Sequence, residues 1–306
     1  MEKVLVIVGP TAVGKTALSI ELAQRYHGEI ISGDSMQVYR QLDIGTAKVQ
    51  KEETAGIAHY LIDNRAIEEN YSVAEFQKEA RQKIAEITQR GKLPIVVGGT
   101  GLYIQALLYD FQLGVQAEPA VDDAFRQRYQ AYAETHGNEK LWQVLQKKDP
   151  LAAEKIHFNN QRKVIRALEV VEKTGTSIMQ PQETPAKLYD YFLVGLTTER
   201  SVLYERINQR VEQMMASGLE KEAQLLRSYP ESQAAKGIGY KEFLPYFANE
   251  QTLAETVARI QQNSRRYAKR QLTWFRNRMQ PFWVDLAQSE EKEAVKHAID
   301  KWLEAK

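Results

Sequence analysis

The sequence predicts an α/β fold: a doubly wound parallel sheet organised around a P-loop, with a helical insertion domain. Three observations support this prediction. Short apolar runs alternate with helical periodicity over the N-terminal third, the apolar runs end in glycine-rich turns, and one long internal segment shows helical periodicity alone. Alternating strands and helices build parallel sheets, whose ligands bind beyond the carboxyl ends of the strands.

The strand–helix alternation begins at the N-terminus. Residues 4–8 (VLVIV) are predicted to form a buried parallel strand, and residues 15–25 the helix that follows it. Shorter strands are predicted at residues 29–32 and 94–97, and each runs directly into a glycine. This arrangement is typical of a doubly wound sheet.

A second helix is predicted between these strands, at residues 72–90. Its apolar residues recur at helical spacing, Ser72 is placed as the N-cap, and Glu75 completes a capping box. Gly91 is expected to end the helix, since glycine adopts the left-handed conformation found at helix termini.

The pattern changes near Gly114 and changes back near residue 190. We expect a helical insertion domain at residues 113–189, hung on a catalytic core made of residues 1–112 and 190–306. Four helices are predicted in the insertion, at residues 125–136, 140–146, 150–156 and 161–173. The C-terminal part of the core is predicted to contain strands at 191–196 and 281–284 and helices at 199–217, 219–228 and 252–277.

Composition excludes several classes of protein. With no cysteine, the chain has no disulfide framework, thiolate zinc site or iron–sulfur cluster, and its five histidines include no paired metal ligands. No run of apolar residues is long enough to span a membrane, and the N-terminal segment lacks the features of a signal peptide. A soluble cytoplasmic protein is therefore expected.

The near-neutral charge hides a basic segment. Lys and Arg number 41 against 40 Asp and Glu, yet residues 256–284 contain no acid. The basic residues of that segment are Arg259, Arg265, Arg266, Lys269, Arg270, Arg276 and Arg278. Aromatic residues interleave with them, so the segment is either an RNA-binding face or a solvated helix that packs Leu272 and Trp274 into the core.

Residues 9–16 (GPTAVGKT) match the G-x-x-x-x-G-K-T pattern of a phosphate-binding loop, between a strand and a helix. Backbone amides and the helix N-terminus face the phosphate, Lys15 adds a point charge, and the Thr16 hydroxyl is a ligand for Mg²⁺. The residues of the loop are Gly9, Pro10, Thr11, Ala12, Val13, Gly14, Lys15 and Thr16. The motif predicts a phosphate or diphosphate ligand without selecting ATP.

The usual apparatus for nucleotide hydrolysis is missing from the pattern. The strand at 94–97 ends in glycines and Thr100 without the acid that holds Mg²⁺ in many nucleotide hydrolases. Basic residues that could clamp a phosphate lie on a late helix: Arg200, Arg206 and Arg210. These features favour group transfer over a motor or switch.

Asp34 follows the second strand and is the carboxylate best placed to face the loop. It could act as a general base or help position a metal, or it could simply cap a turn, and the residues alone do not decide. For Lys48 an exposed loop lysine is favoured over a phosphate ligand.

Further motifs accompany the phosphate loop in a fixed order. They are residues 31–40 (ISGDSMQVYR), 43–48 (DIGTAK), 97–103 (VGGTGLY), 160–162 (NQR) with 166–169 (RALE), 238–242 (IGYKE) and 267–276 (YAKRQLTWFR). With these blocks the sequence resembles the tRNA dimethylallyltransferase (tRNA isopentenyltransferase) family, in the form without the cysteine-bearing zinc finger.

The resemblance implies a substrate pair and a reaction. The family transfers a five-carbon prenyl group from dimethylallyl diphosphate to N6 of the adenosine immediately 3′ of the tRNA anticodon, with Mg²⁺. By carry-over, residues 11–16 hold the diphosphate together with one of Arg200, Arg206 and Arg210. Thr16 touches Mg²⁺, and Lys15 and Thr16 join Asp34, the general base, as catalytic residues. The implied partners are the tRNA anticodon stem-loop and dimethylallyl diphosphate, with neither a membrane nor an obligate protein partner indicated.

The resemblance also implies tRNA contacts. Asp34, Ser35, Met36 and Gln37 would meet the flipped-out base, with Thr100 at another family contact. We expect the insertion to contribute Arg126, Asn159, Asn160, Gln161 and Arg162, and the basic helix to contribute Arg265, Arg266, Lys269, Arg270 and Arg276.

Three competing functions remain as alternatives. A small-molecule P-loop kinase would not need the acid-free basic segment, and an adenylate isopentenyltransferase, which uses a free nucleotide, would need neither that segment nor the long insertion. A non-enzymatic RNA-binding protein would not need an intact Lys15, Thr16 and Asp34.

Overall fold

The computed structural model describes residues 1–110, 119–180 and 186–305, with the side chains of residues 119–123 excluded. The chain divides into two units, Met1–Tyr109 with Lys187–Lys306 and Asp110–Ala186. The predicted start of the insertion, residue 113, lies outside the described residues.

The larger unit contains a parallel sheet, for which the described residues supply six strands. They are β1 (Lys3–Val8), β2 (Gly28–Ser32), β3 (His59–Tyr60), β4 (Leu93–Gly98), β5 (Asp190–Thr197) and β6 (Phe282–Asp285). Their spatial order is β3-β2-β4-β1-β5-β6, and every neighbouring pair is parallel. The predicted doubly wound sheet is confirmed.

Helices cover both faces of this sheet. They are α1 (Lys15–Arg25), α2 (Val73–Gln89), α3 (Gly101–Leu108), α8 (Arg200–Ala216), α9 (Leu219–Leu225), α10 (Phe243–Phe247), α11 (Leu253–Arg278) and α12 (Ser289–Glu304). Two short 3₁₀ turns, Leu226–Ser228 and Ala234–Lys236, follow α9.

The central strand β1 is buried on both sides, because alternate side chains point to opposite faces of the sheet. Leu5 and Ile7 pack in a cluster with α1, α8 and α12. Val4, Val6 and Val8 pack in a second cluster with α2 and α3. A continuous apolar run is what such a strand requires, and it places the carboxyl end of β1 in the middle of the sheet.

The local signals around α2 are confirmed in detail. The Ser72 hydroxyl accepts a hydrogen bond from the Glu75 amide, and the Glu75 carboxylate accepts one from the Ser72 amide, which completes the capping box. Arg90 is the C-cap residue and Gly91 follows it with φ +71°, the left-handed conformation expected of a terminating glycine.

The smaller unit is helical in its described part. It contains α4 (Pro119–His136), α5 (Asn138–Lys148), α6 (Pro150–Lys155) and α7 (Gln161–Thr174). Leu141, Leu145, Val164 and Leu168 are fully buried in its core. Each of the four predicted helices corresponds to one of these, although α4 begins before the predicted position.

Four strands or α-helices of the larger unit were not predicted: β3, α3, α10 and α12. β3 has two residues, too few for any periodicity. α3 starts directly after the glycine-rich end of β4, and α12 presents buried Val295 and Ile299 within an otherwise charged surface helix. Across the described residues, the structure contains no helix with both the length and the apolar character needed to cross a membrane.

Candidate active site

Three chain segments converge where β1, β2 and β4 end. The strand registers pair Val8 with Gly98, and Ser32 with Val97. The phosphate loop therefore emerges beside the turn that contains Asp34 and beside Thr100. The backbones of β2 and β4 approach so closely here that a Cβ on Gly98 would overlap the carbonyl group of Gly33.

The phosphate loop is shaped by two glycines. Gly9 has φ +151° and a Cβ there would lie 2.8 Å from the Leu196 carbonyl oxygen, while Gly14 has φ +100°. Gly14 is also the N-cap of α1, and it supplies no side chain to bind the first amides of the helix. Those amides and the positive end of the helix dipole therefore remain available for an anion.

The Lys15 side chain folds back onto the phosphate loop. Its ammonium group donates hydrogen bonds to the carbonyl oxygens of Gly9 (3.0 Å) and Pro10 (2.7 Å). Burial and, to a smaller extent, the Arg210 guanidinium lower the pKa of Lys15 to about 8, while Asp34 acts to raise it. Lys15 and Arg210 both contact residues 9–11, so two cations lie at the loop, where they favour an anion.

Of the three candidate arginines on α8, the structure brings Arg210 to the loop. Its guanidinium lies 3.4 Å from the Thr11 hydroxyl, and burial lowers the pKa of Arg210 although Asp34 acts to raise it. Arg200 and Arg206 are exposed, and Arg200 stacks over Tyr204. The resemblance implies that one of these three arginines binds diphosphate, and the geometry favours Arg210.

Gln271 on α11 is a site residue that the sequence did not reveal. Its side-chain oxygen accepts a hydrogen bond from the Thr11 amide (3.1 Å), and its side-chain nitrogen donates to the Gly99 carbonyl (3.1 Å). The side chain is buried, and a Cβ on Gly99 would overlap it. Gln271 thus joins the phosphate loop to the end of β4.

Asp34 caps a turn, which is one of the roles considered from sequence. Its Oδ1 accepts hydrogen bonds from the Met36 amide (2.8 Å) and the Gln37 amide (3.3 Å), so this oxygen caps the turn. Because both amides bind Oδ1, Oδ2 stands outside the cap. Asp34 also acts electrostatically on Lys15 and Arg210, which places the carboxylate beside the phosphate loop.

The residues that follow Asp34 differ in their surroundings. Ser35, Met36 and Gln37 are each partly exposed. The Gln37 side chain accepts a hydrogen bond from the Ser32 hydroxyl (2.9 Å) and donates to the carbonyl oxygens of Thr46 (3.2 Å) and Ala47 (3.4 Å). These three hydrogen bonds fix the orientation of the Gln37 side-chain amide.

Lys48 is not the exposed loop lysine that was expected. Its side chain is 3% exposed, and its ammonium group donates to the Tyr39 carbonyl (2.6 Å), Asp43 (2.7 Å) and Asp63 (2.5 Å). These partners satisfy its three donors, so Lys48 stabilises the chain around residues 39–63 and does not reach for phosphate.

The exposed side of α11 is strongly basic. Its exposed cations are Arg259, Arg266, Lys269, Arg270, Arg276 and Arg278. Arg265 is only partly exposed, because its guanidinium donates to the Asn208 side chain on α8 (2.5 Å). The buried residues of the helix are Thr256, Ile260, Ala268, Gln271 and Phe275. Leu272 and Trp274, which one of the two alternatives places in the core, are partly buried and pack against the two core clusters of the larger unit.

Aromatic side chains lie beside several of these cations. The guanidinium of Arg270 stacks over Tyr267 at 5.6 Å and that of Arg276 over Trp283 at 5.6 Å. Burial raises the pKa of Tyr267 to about 12, and the Asp34 charge acts in the same direction. Tyr267 is therefore a buried aromatic residue of the basic helix on which the Asp34 charge acts, and it was not among the predicted site residues. Thr100, at the N-terminus of α3, is partly exposed.

In the smaller unit the predicted contact residues gather at the start of α7. Asn159, Asn160 and Arg162 are exposed and Gln161 is partly exposed. Arg126 on α4 lies 3.3 Å from both carboxylate oxygens of the fully buried Glu169, and Arg166 and Lys173 approach the same carboxylate. Arg126 thus contributes to this charge cluster, whatever its role toward RNA.

Single substitutions of Arg210 and of Arg206 test the anion site. We expect Arg210→Gln to weaken the binding of inorganic diphosphate about 10-fold or more, since a charged donor beside the loop is lost. Arg206→Gln, on the exposed face of the same helix, serves as the control and should change the Kd less than about twofold. Isothermal titration calorimetry measures both, and equal effects would contradict the assignment of Arg210.

Comparison with known proteins extends the similarity over the whole chain. The family profile described as IPP transferase matches residues 37–278. A tRNA dimethylallyltransferase of Enterococcus faecalis is 63% identical over 309 residues, covering 100% of this chain and 99% of the relative.

Solved structures agree with the sequence relatives. The tRNA isopentenylpyrophosphate transferase of Bacillus halodurans aligns with a TM-score of 0.74 at 46% identity, covering 99% of this chain and 98% of that one. A eukaryotic dimethylallyltransferase acting on tRNA aligns with a TM-score of 0.81 at 32% identity, covering 98% of this chain and 78% of that one. Because the similarity extends far beyond the phosphate loop, this chain belongs to the tRNA dimethylallyltransferase (IPP transferase) family.

Proposed function

We propose that this protein transfers the dimethylallyl group of dimethylallyl diphosphate to N6 of the adenosine immediately 3′ of the tRNA anticodon, releasing diphosphate. The observation that carries the proposal is the meeting of one carboxylate, Asp34, with two cations, Lys15 and Arg210, beside the phosphate loop. A transferase that separates an anionic leaving group from a nucleophile requires this pairing of an anion-binding loop with a base.

The phosphate loop would hold the leaving group. The open amides at the start of α1, Lys15 and Arg210 all favour negative charge, which grows on the diphosphate as its bond to C1 of the prenyl group breaks. Anchoring of the Thr11 amide and the Gly99 carbonyl by Gln271 keeps the loop in place before the substrate arrives.

Mg²⁺ is part of the proposal through Thr16. The exposed hydroxyl-bearing side chain of Thr16 stands at the first turn of α1, and no group of three or more His, Cys, Asp or Glu in the described residues could hold a metal ion. This donor set fits Mg²⁺, which commonly takes few protein ligands and completes its shell with phosphate oxygens and water. When bound, Mg²⁺ would neutralise charge on the leaving diphosphate.

Asp34 would act on the nucleophile. The N6 amino group forms a bond to C1 of the prenyl group, the C1–O bond breaks with its electron pair going to diphosphate, and Asp34 takes the proton released from N6. The adenine amine is a weak nucleophile, so a positioned carboxylate accelerates the step. The two amides that bind Oδ1 orient the carboxylate, which leaves Oδ2 to receive the proton.

The basic side of α11 is the surface that we propose for tRNA. Exposed Lys269, Arg270 and Arg276 can contact phosphates, and the neighbouring aromatic rings can stack on unpaired bases. The exposed residues at the start of α7 provide further polar contacts from the smaller unit. The target base must leave its stack to reach Asp34, a change that costs least in a single-stranded loop.

The reaction itself is tested with radiolabelled dimethylallyl diphosphate. The purified protein is offered unmodified tRNA or AMP as acceptor, and in parallel ATP with a panel of small-molecule kinase substrates. We expect label to enter tRNA at the adenosine next to the anticodon. Label in AMP but not in tRNA, or phosphate transfer from ATP, would overturn the proposal.

Substituting Asp34 tests the proton acceptor. We expect Asp34→Ala and Asp34→Asn each to lower kcat by about 10²–10⁴-fold, because the base is removed. Asp34→Asn keeps an oxygen that can accept from the Met36 amide, so it separates the loss of the base from the loss of the turn. The Kd for tRNA should change little in either variant, and turnover near the wild-type rate in Asp34→Asn would refute this role.

The basic face is tested through the salt dependence of tRNA binding. Lys269→Ala should remove one phosphate contact. The slope of log K against log salt concentration should then become less steep by about 1, and the affinity for all tRNAs should fall to a similar extent. Lys301→Ala, an exposed lysine on α12, is the control and should leave the slope unchanged. Identical slopes for the two variants would exclude Lys269 from the interface.

A further inference from the structure

The segment 43–45 (Asp43, Ile44, Gly45) binds a carboxylate with its main chain. Three consecutive amides point at Glu222 of α9: Asp43 N and Ile44 N lie 2.8 Å from Oε2, and Gly45 N lies 2.8 Å from Oε1. The Tyr240 hydroxyl donates a fourth hydrogen bond to Oε1 at 2.7 Å. Consecutive amides of this kind form an anion-binding concavity, and here the protein occupies it with its own side chain.

The burial of Glu222 makes these hydrogen bonds necessary. Glu222 is 8% exposed and Tyr240 is 3% exposed, and burying a carboxylate is costly unless its oxygens are hydrogen-bonded. Burial raises the pKa of Tyr240, and the Glu222 charge acts in the same direction, so the phenol remains a donor. A Cβ on Gly45 would lie 2.7 Å from the Tyr240 hydroxyl oxygen, which explains why glycine stands at that position.

This anchored segment leads to the aspartate turn. Thr46 and Ala47 follow directly, and their carbonyl oxygens accept the hydrogen bonds of the Gln37 side chain. The main-chain amide of Gln37 in turn donates a hydrogen bond to Asp34 Oδ1. A second chain of contacts joins the turn to Tyr240. Met36 packs on Gly237, where a Cβ would lie 2.5 Å from Met36 Cε. The Gly237 carbonyl in turn accepts a hydrogen bond from the Tyr240 main-chain amide (3.3 Å).

The contacts form a closed ring: Asp34, Gln37, residues 43–47, Glu222, Tyr240, Gly237 and Met36. From this ring we infer that Glu222 and Tyr240 are positioning residues, which hold the Asp34–Gln37 turn in the geometry that receives the adenine. The inference rests on the proposed function of that turn. Both side chains act on the turn through the backbone of residues 43–47.

Matched pairs of variants test the inference, and the two glutamates both lie on α9. Glu222→Gln replaces an acceptor oxygen by an NH₂ group that faces backbone donors, and Tyr240→Phe removes the hydroxyl that donates to Glu222 while keeping the aromatic ring. Glu220 accepts a hydrogen bond from the Tyr246 hydroxyl (3.2 Å) and neither residue is bonded to segment 43–45, so Glu220→Gln and Tyr246→Phe are the controls.

We expect Glu222→Gln to lower kcat/KM for tRNA about 100-fold, the scale of a displacement of about 1 Å at a reacting group, and Tyr240→Phe to lower it about tenfold. The KM for dimethylallyl diphosphate should stay within about twofold of wild type, because the phosphate loop lies outside the ring. Hydrogen–deuterium exchange of the peptide spanning residues 35–48 should accelerate in both variants, and the two controls should match wild type in all three measurements.

Each other result has a defined meaning. One such result is a variant with wild-type kinetics whose peptide 35–48 exchanges hydrogen for deuterium faster than in wild type. It would overturn the inference, because the ring of contacts would be broken with no effect on catalysis. A large rise in the KM for dimethylallyl diphosphate in both variants would also overturn it, since the loss would then extend to the phosphate loop and would indicate general destabilisation. If Glu222→Gln does not fold, Tyr240→Phe decides. Failure of the proposed function would differ from all of these, because wild type itself would not prenylate tRNA.

Discussion

The close approach of main chain at the ends of β1, β2 and β4 is the constraint on which the site depends. Side chains are excluded there: a Cβ on Gly98 would overlap Gly33, and a Cβ on Gly9 would press against the Leu196 carbonyl. Because only glycine fits, the phosphate loop and the aspartate turn are brought side by side by backbone packing. The Asp34 charge then acts to raise the pKa of both Lys15 and Arg210, against the effect of burial.

Buried polar side chains hold the irregular segments beside this junction. Gln271 binds the phosphate loop, Lys48 binds the chain around Asp43 and Asp63, and Glu222 binds the amides of residues 43–45. Each would be costly to bury without partners, and each finds them in main chain or in carboxylates. A segment without helix or strand is thereby given a defined conformation, which a site needs if it is to orient a base and a proton acceptor.

Sequence reasoning succeeded where a signal was local and strong. The strand of residues 4–8, the helix with its Ser72–Glu75 capping box and the helical insertion all follow from periodicity or from spacing over a few residues. It failed where the signal was weak, as for the two-residue β3, and where the environment reversed an ordinary expectation. Lysines in loops are usually exposed, but Lys48 is buried because Asp43, Asp63 and the Tyr39 carbonyl surround it.

The sequence by itself determined the phosphate loop, the position of Asp34 after a strand and the basic character of α11, because each is a contiguous pattern whose chemistry depends on near neighbours. Only the tertiary structure selected Arg210 over Arg206, placed Gln271 on the Thr11 amide and set Glu222 on segment 43–45. These partners are separated by 199, 260 and 177–179 positions in the chain. No local pattern records such pairs, since they meet only when the helices after β5 pack against the carboxyl edge of the sheet.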